Sequence, residues 1–225
     1  METLTAFVSE YGREIVRLTI EHLRLTVISV GGAIAFSVPV GILLTRSKKL
    51  AGPVLGFASV VQTIPSLALF GLVIPILMVF DLPIIGIVPA LLALFLYALL
   101  PILRNTYTGI QQVEPVILEA ATGIGMTKTQ VLLKVELPLS LSVIMAGIRT
   151  STVISVGVAT LAALIGAGGL GEFIFRGLRT INYKLMLAGA IPSALLALFL
   201  DFLLGMLENQ LTPRGLRCQR SKIHA

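Results

Sequence analysis

Side chains able to do covalent or acid–base chemistry are few in this sequence and lie far apart. His22 and His224 sit near opposite ends of the 225 residues, neither with a catalytic neighbour in sequence, so both are expected at an interface or in solvent. The one cysteine, Cys218, stands in a basic tail with no partner for an internal disulfide and no surroundings that resemble a metal site. Gly166-Ala-Gly168-Gly169-Leu-Gly171 satisfies the dinucleotide pattern G-x-G-x-x-G. An apolar helix rather than a strand precedes it, so a broken helix or external hinge is the better reading. No G-K-[ST] occurs, so the chain has no Walker A loop for ATP, and no cofactor is expected in it. Two charges, Arg149 and Asp201, fall inside long apolar runs. A charge in hydrocarbon is costly and tends to pair, so the two are candidates for a buried ion pair, with gate control as the sharper alternative.

Polar uncharged residues make two stripes. Ser59, Gln62 and Ser66 recur at i, i+3 and i+7 in one apolar run, with Pro65 able to kink the helix beside them. Ser151 and Ser155 make a smaller stripe in another run. Such residues either bond helices to one another or wall a path for a polar solute. The chain has no Trp and only four scattered Tyr, so no aromatic cage for a cation is evident in it.

The elements that hold these residues follow from composition. Hydrophobic residues make up 56% and charged ones only 12%, against roughly 25% charged in a soluble domain. The chain belongs to the membrane class, where about 20 apolar residues make one spanning helix. An all-α integral membrane fold of five spans is expected, over residues 25–45, within 50–80 starting near Phe57, 83–103, 139–165 and 185–207. Residues 1–24 read as an amphipathic interfacial segment, because Leu4, Phe7, Val8, Tyr11, Ile15 and Leu18 recur at helical spacing. Glu2, and the lack of early Lys or Arg, argue against a cleaved signal peptide. Residues 25–207 form the transmembrane domain, and 208–225 a basic cytoplasmic tail. The net charge of +6 sits mostly just outside the apolar runs, as expected beside an anionic lipid bilayer. No basic stripe with interleaved aromatics exists, so no nucleic-acid partner is expected. The loops around 46–52 and 104–138 and the tail carry ten Lys or Arg, against six on the other side, which places the N-terminus outside and the C-terminus in the cytoplasm.

The connection 104–138 is long and polar. Pro115 after Glu114 suits a first helical position, and Val116, Ile117, Ala120, Ala121 and Ile124 then give one small, apolar face. Gly123 and Gly125 end that helix, since glycine takes left-handed angles cheaply. Thr127 and Gln130 have capping-box spacing for a second helix, which Leu137-Pro138 ends ahead of the fourth span. A two-helix elbow of this kind can seat in a partner's groove as a rigid lever.

The run EAATGIGMTKTQVLLKVELP, residues 119–138, resembles the EAA loop of the membrane subunits of ATP-binding-cassette importers. Together with VQTIPSLALFG at 61–71 and AGIRTSTVISVGVATLAALIGAGGLGEFIFRGL at 146–178, it resembles the permeases of osmoprotectant importers, the glycine betaine, carnitine and choline family. The likeness covers most of residues 25–207. It implies a type I importer core in a bacterial or archaeal cytoplasmic membrane. Two such permeases, identical or sisters, would sit on an ATPase dimer that binds ATP and Mg. An extracytoplasmic solute-binding protein on a separate polypeptide would deliver the solute. The resemblance gives the coupling role to Glu119, Ala120, Ala121, Gly125, Leu137 and Pro138. The elbow motif is shared with importers of methionine, metals and phosphonates, which leaves those solutes as alternatives. A membrane-embedded enzyme would need clustered His, Cys or carboxylates at one depth, and the spans offer only Arg149 and Asp201.

Overall fold

An apolar run without water around it can satisfy its backbone only from within, so each run becomes a helix. The computed structural model describes residues 2–211, and every regular element among them is helical. The part of the 208–225 tail beyond Leu211, with Cys218 and His224, lies outside the described residues.

Helix α1 (Glu2–Thr45) is 44 residues long and passes through the expected interfacial segment and the first span without a break. Its buried stripe comprises Leu18, His22, Leu25, Thr26, Ser29, Ala33 and Ser37, while Val27, Phe36 and Leu43 point outward. Small and hydroxylated residues on the inner stripe let helices approach where no hydrophobic drive separates protein from lipid.

The second span differs from the single kinked helix expected within 50–80. It is two helices, α2 (Lys48–Thr63) and α3 (Ser66–Val79), with a bend of 114° between them. Pro65 is the cause: it has no N–H to give the preceding turn, and its ring holds Ile64 extended at φ −68° and ψ 127°. The Ile64 carbonyl freed by the break accepts a hydrogen bond from the Tyr97 hydroxyl, so that acceptor is satisfied.

Helix α4 (Ile87–Gln111) is the central element and packs on α1, α2, α3 and on α7 (Leu137–Ala159). It starts at Ile87 rather than Pro83 and runs past Arg104, the end expected from charge. Between α4 and α7 lie α5 (Pro115–Gly123) and α6 (Lys128–Val131). A methyl at Gly147 of α7 would lie 2.6 Å from Asn105 Cβ and 2.7 Å from the Pro101 carbonyl oxygen of α4, so these helices cross at backbone contact. After α7 a tight 3-10 turn (Thr160–Ile165) leads into the glycine loop, where Gly166, Gly168 and Gly169 take φ of 75°, 81° and 87°. Only glycine adopts these angles cheaply. Helices α8 (Gly171–Arg179) and α9 (Tyr183–Leu211) complete the described chain.

Contacts define two ends. At one end Arg46, just beyond α1, pairs with Glu136, just before α7. At the other the Gly86 N–H donates to Ile165 O at 2.8 Å, and α8 packs on the early part of α1 through Tyr11 with Phe173 and Glu14 with Arg176. The chain leaves α1 at the first end and begins α4 at the second, so the bent α2–α3 pair makes one crossing. With α1, α4, α7 and α9 that gives five.

Candidate functional site

The elbow is built by local rules. Pro115 occupies the first turn of α5, and Gly125, at φ 88°, turns the chain beyond it. Thr127 and Gln130 form a reciprocal capping box: the Thr127 N–H donates to Gln130 Oε1 at 2.8 Å, and the Gln130 N–H to Thr127 Oγ1 at 3.4 Å. Glu119, Ala120 and Gly125 are exposed, whereas Ala121 is buried. Neighbours on a helix point about 100° apart, so the two alanines cannot share a face. Val116 and Ile124 are the most exposed large apolar side chains of the elbow, at 72% and 81%. The resulting surface is small, apolar and acidic at one edge.

Leu137 and Pro138 do not end the second elbow helix, as the sequence had led us to expect. The helix continues into α7 through a wide π-turn (Leu132–Glu136), with the Leu137 N–H bonded to Leu132 O. Pro138 has no N–H, and the helix absorbs that loss by lengthening one turn instead of breaking. Glu136 in this turn is buried and meets Arg46, a pair no local sequence pattern marks out.

In the α7–α9 groove, Arg149 grips Asp201 with two parallel bonds of 2.8 Å, from Nε to Oδ1 and from Nη2 to Oδ2. Its Nη1 donates to Glu208 Oε2 at 3.2 Å. Glu208 is buried, while Arg149 and Asp201 are about one-third exposed to the groove. The sequence reading missed Glu208. Its signal was its spacing: two helical turns beyond Asp201 puts it on the same face.

The polar stripes divide. Ser59 and Gln62 lie on α2, and Ser66 opens α3 across the bend, so the three do not form one stripe. Ser59 donates to Leu55 O at 2.8 Å and receives Arg104 Nη2 at 3.3 Å. Ser151 is fully buried and donates to the Ala98 carbonyl of α4 at 3.0 Å, which is an interhelical bond. Ser155 is fully buried as well. His22 is not exposed: it is buried in α1 against the glycine loop, with Nε2 at 3.0 Å from Val156 O. Its neighbour Glu21 accepts the Gly169 N–H at 3.2 Å. Among the described residues no cluster of His, Cys, Asp and Glu has the grouping needed for a metal ion.

A rigid exposed elbow between the spans of a five-crossing bundle has a counterpart among known proteins. The family described as binding-protein-dependent transport system inner membrane component matches residues 37–213. The chain belongs to this family. It is therefore a multi-pass inner-membrane permease. It is 49% identical over 217 residues to the carnitine transport permease protein OpuCB of Listeria monocytogenes, covering 96% of this chain and 97% of that one. It is 47% identical, with the same coverage, to the glycine betaine/carnitine/choline transport system permease protein OpuCB of Bacillus subtilis (strain 168). To the osmoprotectant import permease protein OsmW of Salmonella typhimurium it is 49% identical over 89% of this chain and 93% of that one. Among solved structures it resembles an inward-facing form of the MetNI methionine ABC transporter, with a TM-score of 0.78 and 25% identity over 88% of this chain and 96% of that one. The likeness bears out the type I importer core.

Proposed function

We propose that this permease is the membrane subunit of an ATP-driven importer of compatible solutes: glycine betaine, carnitine, choline or a similar quaternary ammonium ion. The observation that carries the reading is the exposed elbow, in a chain close to half identical to permeases named for those solutes. In this reading a separate ATPase dimer binds ATP and Mg and closes on hydrolysable nucleotide. The elbow passes that motion to the spans through Glu119, Ala120, Ala121, Gly125, Leu137 and Pro138. A second permease, identical or a sister, completes the path, and a separate extracytoplasmic receptor delivers the solute. The N-terminus lies outside and the C-terminus in the cytoplasm.

The likeness to a methionine transporter supports the shared core, and the solute assignment follows the far more similar permeases. The test is uptake in cells stripped of their own osmoprotectant carriers, expressing the permease with its ATPase and receptor. Radiolabelled glycine betaine, carnitine and choline are offered separately. Saturable uptake of at least one, lost when the ATPase is inactivated, is expected. Uptake of methionine but none of the three would overturn the solute assignment.

A further inference from the structure

The elbow's backbone joins two spans: α4, across residues 112–114, and α7, through the π-turn. A further mechanical connection is made by side chains. Glu136 closes the π-turn between elbow and α7, is 4% exposed, and accepts a hydrogen bond from Arg46 Nη2. Arg46 lies 90 residues earlier, in the joint between α1 and α2. That joint is tightly bonded. The N–H groups of Arg46 and Ser47 return to Leu43 and Leu44, and the Ser47 carbonyl receives Leu50 and Ala51. It therefore moves as a unit with the end of α1 and the start of α2.

We propose that Arg46 and Glu136 are positioning residues whose ion pair carries elbow motion to the α1–α2 joint, so that α7 and the bent α2–α3 span move together. The inference rests on the importer reading above. Three features support it. A buried carboxylate cannot leave its cation cheaply, so the pair resists separation when the elbow moves. The pair sits in the one wide turn between elbow and span, and such turns favour functional sites because their register can change. Tightening that turn to an α-turn would rotate Glu136 about the helix axis and draw Arg46 with it. Finally, α2 and α3 pack chiefly on α4 and not on α7, so the ion pair is the direct side-chain link between the α7 side of the elbow and this bent span.

The test uses the complete complex in proteoliposomes, with permease, ATPase and receptor. Solute uptake and ATP hydrolysis are measured on the same vesicles, with radiolabelled glycine betaine, carnitine and choline as probes. The double variant Arg46→Met/Glu136→Leu replaces the ion pair by an apolar one, a change that usually preserves folding. It is expected to assemble and hydrolyse ATP while moving about fivefold or more less solute per ATP, the lower range of a typical coupling. Arg46→Lys, which keeps the cation, is expected to hold a ratio nearer that of the unsubstituted complex. A clamp that is merely structural would leave solute per ATP unchanged once assembly is restored, and that result in the double variant overturns the proposal. Should the double variant not assemble, Glu136→Gln is read by the same ratio, because it keeps the shape and one hydrogen bond but removes the charge. A fall supports the link and an unchanged ratio overturns it. An unsubstituted complex that moves none of the three solutes overturns the importer reading instead, so the two failures are distinct.

Discussion

Arg149 answers two carboxylates with one guanidinium, and its partners differ in exposure. Asp201 opens to the α7–α9 groove, whereas the Glu208 side chain is only 3% exposed. Removing Arg149 takes a cation from both carboxylates, and removing Asp201 leaves Arg149 still bonded to Glu208. Arg149→Leu is therefore expected to lower the melting temperature in detergent more than Asp201→Leu. The loss falls on both carboxylates, and the buried Glu208 has the less water to compensate for the missing cation. Adding Glu208→Gln to Arg149→Leu should recover part of the loss. Equal losses from the two single variants, with no recovery from Glu208→Gln, would remove Glu208 from the cluster. Sequence drew attention to Arg149 and Asp201 because charges stand out in apolar runs. Glu208 stood at the expected start of the basic tail, where charge is unremarkable. His22 was misread for a similar reason: its bonding partner, the Val156 carbonyl, is 134 residues away and leaves no local trace.

Among the elements, the elbow was legible and the second span was not. Elbow boundaries follow from local chemistry at Pro115, Gly123, Gly125 and the Thr127–Gln130 box, all of which act within one turn. Pro65 announced a kink, but a bend of 114° also leaves the Ile64 carbonyl in need of a donor, which the Tyr97 hydroxyl supplies, and that contact is tertiary. The continuation through Pro138 was hidden because a single wide turn absorbs the missing N–H. Placement within the elbow also selects the informative substitution. Ala121 is buried, so an arginine there would disturb the elbow itself. Ala120 faces outward, and Ala120→Arg should leave membrane insertion and helix content intact. If the exposed face meets the ATPase, that change should weaken ATPase retention during co-purification by about tenfold or more, equivalent to roughly 1.4 kcal/mol. Ala120→Ser should keep it. Retention by Ala120→Arg equal to that of the unsubstituted permease would move the ATPase contact elsewhere.

At the scale of the whole molecule, two sets of contacts sort the loops before any membrane is considered. The Arg46–Glu136 pair holds the α1–α2 joint and the elbow at one end. Tyr11 and Glu14 hold α8 at the other, with about 46 Å of helix between Glu14 and Thr45 at 1.5 Å per residue. That length exceeds the roughly 30 Å hydrocarbon core, so the two ends emerge on opposite faces. Which face is cytoplasmic is then decided by charge. The elbow end carries Arg46, Lys48, Lys49, Arg104, Lys128 and Lys134, and α9 ends on the same side, ahead of Arg214, Arg217, Arg220 and Lys222 in the sequence. The α8 end carries Arg13, Arg17, Arg24, Arg176, Arg179 and Lys184, but Arg17 and Arg176 are paired there with Glu21 and Glu14. The positive-inside rule gives the proposed orientation, with the richer side in the cytoplasm, where ATP is available to an ATPase seated on the elbow. A topology reporter fused after Arg220 should read cytoplasmic, and one inserted beside Arg179 external. A single cysteine at Ile124 should be labelled by an impermeant thiol reagent only in inside-out vesicles, after Cys218 is replaced. If the α8 and elbow sites read from the same side, α7 does not cross, and the five-span arrangement fails. Both sites reversed together would keep the fold but turn the elbow away from ATP, and the importer mechanism would fail with it.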